Sequence, residues 1–134
     1  MLATLLLRAL GVWVAIAVAE IVHGGLRVRL LNPRVGDHRA RQMGVLTGSL
    51  IILAVAWLTV PWIGPTAPGE ALAVGAVWTA AMLAFEVYFG RVVFQIPLKQ
   101  VAADFDLRRG GLLGFGMVIL FLSPLLVGRL RGLL

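Results

Sequence analysis

The chain has 134 residues, of which 60% are hydrophobic and 13% charged, with no cysteine and a formal net charge of +6. So apolar a composition excludes an ordinary soluble globule, and the lack of cysteine excludes disulfides and thiolate metal sites. The basic excess does not point to nucleic acid, because the arginines gather between apolar runs instead of forming a stripe on a soluble domain.

In chain order, the first apolar run reads as a membrane span from about Leu2 to Leu26. It closes on AEIVHGGLR, where Glu20, His23 and Arg27 share a helical face with Ala9, Trp13, Ile16 and Gly24. The AVA before Glu20 resembles a signal-peptidase site, but no basic residue precedes the apolar run, so the segment is expected to remain as a span. Asn32-Pro33 is expected to break the connection that follows, which carries Arg27, Arg29, Arg34, Arg39 and Arg41. A second span is expected from about His38 to Val60, with Asp37 as its N-cap. Proline and glycine in PWIGPTAPGE then make a short turn, with Trp57 and Trp62 at the depth of an interfacial anchor.

The third span reads from about Glu70 to Phe94, and Gly75, Thr79, Met82, Glu86, Gly90 and Val93 share one of its faces. After Ile96-Pro97, the stretch LKQVAADFD reads as a short interfacial helix. Asp104 or Asp106 is expected to cap the fourth span, which continues to about Val127.

The second half resembles the first. Glu20 and Gly24 match Glu86 and Gly90, and Asp37, Arg41 and Gly44 match Asp104, Arg108 and Gly111 at nearly the same separation. The expectation is therefore one all-α domain over residues 1–134, a transmembrane four-helix bundle of two similar hairpins, about 1–62 and 69–134. Halves of two spans each would share an orientation and be related by a pseudo-twofold axis along the membrane normal.

Charge asymmetry gives an orientation. Arginine and lysine crowd the first and third connections, the latter through Arg91, Lys99, Arg108 and Arg109, whereas the second has none. The positive-inside rule puts those two connections in the cytoplasm of a bacterial inner membrane and both termini outside, with Arg8, Arg129 and Arg131 as the basic residues left there.

A glutamate facing lipid costs several kcal/mol if ionised, so Glu20 and Glu86 should face protein or water. On the structural reading they pair with Arg41, Arg91 or Arg108 near the inner boundary and fix the hairpins together. On the functional reading Glu20, His23, Arg27, Arg41, Glu86, Arg91 and Arg108 line a proton or ligand site. His23 could relay protons, but the second histidine a bis-histidine haem would need is His38, expected at the surface, so no cofactor or metal is implied. No phosphate-cradling loop, nucleophile–base pair or metalloprotease spacing is present, so no catalytic residues are assigned.

The pattern AEIVHGGLR, NPRVGDHRARQMGVLTGS, FEVYFGR and DFDLRRGG resembles a group of small, uncharacterised bacterial four-span membrane proteins, over most of the chain. That resemblance implies the architecture and brings no function with it. Small multidrug-resistance exporters are similar in their four spans and in a first-span glutamate matching Glu20, but they lack a counterpart of Glu86. Dimeric fluoride channels resemble GGLRVR only weakly, and their other span motifs are missing here. The sequence therefore favours a non-enzymatic accessory or assembly subunit of a membrane complex, or a homo-oligomer. Its expected partners are other membrane subunits or further copies of itself, with anionic headgroups on the cytoplasmic side. The alternatives are a small proton-coupled transporter or channel using Glu20 and Glu86, and a lipid-modifying enzyme.

Overall fold

A computed structural model of the protein describes residues 2–93, 95, 97, 99 and 112–134. Among these it is helical throughout: α1 (Leu2–Leu26), α2 (Asn32–Val35), α3 (Asp37–Ile63), α4 (Pro68–Tyr88) and α5 (Leu113–Leu130). Two five-residue π-helical turns, Arg27–Leu31 and Phe89–Val93, prolong α1 and α4. Four of the helical stretches are long and apolar enough to cross a membrane. The expected interfacial helix, both candidate caps Asp104 and Asp106, and Arg108 lie outside the described residues.

The first span runs longer than the sequence suggests. Helix continues from Leu2 to Val35, because Pro33 enters at the start of α2, where a missing N–H breaks no intrahelical bond. The break comes instead at Gly36, whose φ of +89° belongs to glycine. Gly36 also takes the N-cap position of α3, so Asp37 is a first-turn residue and makes no cap hydrogen bond. Its carboxylate instead accepts from Asn32 Nδ2 at 2.9 Å. α4 begins at Pro68, two residues before the expected start, and Glu70 reaches back to accept from Thr66 N and Thr66 Oγ1, both at 2.8 Å.

The bundle is a ring in which α1 packs on α3 and α4, and α5 packs on the same two; the diagonals α1/α5 and α3/α4 do not pack. Helices of like direction therefore stand side by side. An axial twofold would put each helix opposite its like-directed mate, so the expected pseudo-twofold is not the symmetry of this bundle. The core on the ring's inside includes Leu5, Ile16, Ile52, Val60, Val74, Met82 and Leu120 around the fully buried Trp78. Trp78 Nε1 donates to the Ala9 carbonyl at 2.8 Å, tying α4 to α1. Where α4 crosses α5 the backbones nearly touch: a Cβ on Gly75 would lie 1.9 Å from the Phe121 carbonyl oxygen, an approach that only glycine permits.

Two prolines sit inside spans, and each leaves a carbonyl that a side chain satisfies. Pro61 has no N–H for the carbonyl of Trp57, and Arg131 Nη1 donates to that oxygen at 2.5 Å while its guanidinium lies over the Trp57 ring. Pro124 likewise frees the carbonyl of Leu120, which accepts from Ser123 Oγ at 3.0 Å, both residues being buried. Arg8 repeats the first arrangement one turn on, donating to the Trp62 carbonyl at 2.9 Å and covering the Trp62 ring. Both arginines thus fasten neighbouring helices to the C-terminal end of α3.

Gly75→Ala should destabilise the protein in detergent by about 1–3 kcal/mol, the usual cost of overpacking. Gly11→Ala, at a helical site with nothing within 4 Å, should leave the unfolding temperature unchanged or raise it slightly, because alanine is the better helix former. Equal effects of the two variants would contradict the close α4–α5 crossing.

Candidate polar site between α1, α3 and α4

Three α1 residues of the expected cluster come together against α3. Gly44 and Gly48, one turn apart, leave a strip of bare backbone on α3, and Arg27 and Glu20 lie on it. A Cβ on Gly44 would meet Arg27 Cδ at 3.0 Å, and one on Gly48 would meet Glu20 Oε2 at 2.9 Å. His23, between them, shares a 2.6 Å hydrogen bond through Nε2 with Thr47 Oγ1, and its Nδ1 stands 3.8 Å from Glu20 Oε2. Thr47 also donates within its own helix, to the carbonyls of Met43 and Gly44. The antiparallel register of α1 and α3 is therefore marked by three contacts in a row.

Glu86 of α4 and Arg27 both lie within electrostatic reach of Glu20. The two carboxylates thus occupy one neighbourhood of the bundle. The cluster is half-buried, not buried as expected from sequence: the His23 and Glu20 side chains keep 20% and 22% of their accessible surface. It is also incompletely satisfied, since Glu20 Oε1 and Arg27 Nε are buried atoms without a hydrogen-bond partner.

Two further predicted members are described. Arg41 Nε is 3.1 Å from Asp37 Oδ2, an i,i+4 contact within α3 that is not aligned as a hydrogen bond. Arg91 is exposed in the π-helical turn after α4. Among the described residues no group of three His, Asp or Glu is placed to hold a metal ion.

The sequence reading missed Thr47, Gly44 and Gly48 as parts of this site. The spacing of the two glycines in MGVLTGS was the available signal, because small residues one turn apart mark a close helix approach. It also missed an aromatic row between α1 and α4, where Trp13 meets Phe85 edge-on at 5.9 Å between centroids and Phe85 meets Phe89 at 4.3 Å. Chemically, two carboxylates, an imidazole and a hydroxyl can hold and pass a proton, and the unpartnered atoms can complete their bonding with a ligand or another chain.

Thr47→Val should remove the His23 hydrogen bond and cost about 1 kcal/mol. The ¹⁵N resonances of the His23 ring should move in the same variant, and an unchanged ring spectrum would contradict the contact. Comparison with known proteins finds no matching family model and no match among curated proteins or solved structures.

Proposed function

We propose that this is a multi-pass protein of the bacterial inner membrane, with its arginine-rich end in the cytoplasm and both termini outside. It has no catalytic activity and serves as an accessory or assembly subunit of a membrane complex, or as a homo-oligomer. The observation that carries this reading is the unfinished cluster at the α1/α3 seam. Buried Glu20 Oε1 and Arg27 Nε lack partners, and an unpaired polar atom in apolar surroundings costs about 1–3 kcal/mol. A neighbouring chain that docks on the half-exposed seam and shifts its side chains enough to reach these atoms would recover that cost. The arginine distribution supports the orientation.

A second reading, a proton-coupled transporter or channel, is favoured by one feature: Glu20 and Glu86 sit within electrostatic reach of each other, beside the His23–Thr47 link. Intramembrane carboxylates at one level are the usual means of handling protons in such proteins.

Purification in mild detergent, with native mass spectrometry, should show a defined oligomer or a stoichiometric partner. A strictly monomeric particle without a partner would count against the assembly reading. Vesicles carrying the protein and an internal pH dye decide the second: proton entry under an imposed potential, lost in Glu20→Gln and Glu86→Gln, would establish it. Entry no faster than in empty vesicles would remove it.

A further inference from the structure

Arg27 has unused bonding capacity that the Glu20 cluster does not explain. Its guanidinium lies on the bare backbone at Gly44, and its buried Nε has no hydrogen-bond partner. A guanidinium presents five N–H donors in a planar fork suited to carboxylate and phosphate. Arg41 precedes Gly44 by three residues, so it shares the face of α3 on which Arg27 lies. It is itself half-buried there. Among the described residues, the acidic groups in this neighbourhood include Glu20, within electrostatic reach of Arg27 and of Glu86, and Asp37, which contacts Arg41 Nε. Neither supplies an acceptor to Arg27 Nε.

Depth identifies what else could. Arg8 and Trp62 are joined at one end of the bundle, and tryptophans and arginines of this kind mark a membrane interface. From Arg8 to Arg27 α1 is unbroken, which at 1.5 Å per residue is roughly 28 Å of helix. A hydrocarbon layer is about 30 Å thick. With Arg8 at one interface, Arg27 stands at the other, among phosphate groups.

The geometry points to an oxyanion site formed by Arg27 and Arg41 in the groove between α1 and α3, filled by the headgroup phosphate of an anionic phospholipid. The chemistry recognised is that of a phosphate oxyanion, which free phosphate shares; the lipid is favoured because Arg27 stands at headgroup depth. This inference rests on the membrane reading above for that depth, and does not depend on oligomerisation or on proton transfer.

The full-length protein in a neutral detergent is mixed with phosphatidylglycerol, phosphatidylcholine or inorganic phosphate at fixed ionic strength, and binding is read by native mass spectrometry and thermal shift. Phosphatidylglycerol should bind and raise the unfolding temperature where phosphatidylcholine does not. Arg27→Gln should weaken that binding by about tenfold. Arg29→Gln, the same charge change on an exposed neighbour, should leave it intact. Should Arg27→Gln not fold, Arg27→Lys against Arg29→Lys carries the comparison, because an ammonium keeps the charge and loses the fork. Equal losses at positions 27 and 29, or equal binding of the two lipids, would overturn the site. Protection by inorganic phosphate that depends on Arg27, without phosphatidylglycerol binding, would overturn the lipid as its occupant. Oligomeric state in the same preparations, and side-specific labelling in native membranes, report on the wider reading separately.

Discussion

An ionisable side chain surrounded by apolar chains must face protein, and the arginine-rich end of this molecule is organised around that constraint. Glu20 meets it by lying on the backbone of α3 at Gly48, the one kind of position where a carboxylate can approach a helix without displacing a side chain. Arg27 does the same one turn along, at Gly44. His23 is then held between them and reaches Thr47. The register of α1 on α3 follows from these three contacts, and with α1 placed, the Trp78 bond to Ala9 sets α4.

The opposite end is governed by a different requirement, that carbonyls released by proline or by a helix end find donors. Arg131 and Arg8 supply them to Trp57 and Trp62 and stack on the same rings. Those two arginines are counted as exceptions by a charge-asymmetry argument, yet each is bound to a tryptophan and has a structural reason to be where it is. Polar contacts therefore cluster near both ends of the bundle. Between them the described interior is mostly apolar, apart from the Trp78–Ala9 bond, the buried Trp13 Nε1 and hydroxyls that bond within their own helices.

Much of the helical architecture was legible because it depends on span length and hydropathy: four apolar runs of sufficient length gave four helices, although the first continues to Val35 and the expected start of the fourth lies outside the described residues. The sharing of a face by Glu20, His23 and Arg27 was legible too, since it needs only a period of 3.6 residues. What failed depended on backbone detail or on relations between helices. Pro33 was read as a breaker, but a proline opening a helical segment breaks nothing, and Gly36 makes the turn. The internal repeat suggested an axial twofold, whereas the packing puts α1 beside α4 and α3 beside α5; matching residues in two hairpins do not dictate how the hairpins dock. The π-helical turns have no pattern in the sequence that distinguishes them from α-helix.

The function proposed depends on whether α1 really presents its polar face to the glycine strip of α3. Because the chain has no cysteine, cysteine pairs can be introduced into an otherwise unreactive protein in native membranes. A short bifunctional thiol reagent should join His23→Cys to Thr47→Cys and should not join His23→Cys to Val87→Cys, on the exposed side of α4. Linkage of the second pair in preference to the first would contradict the account.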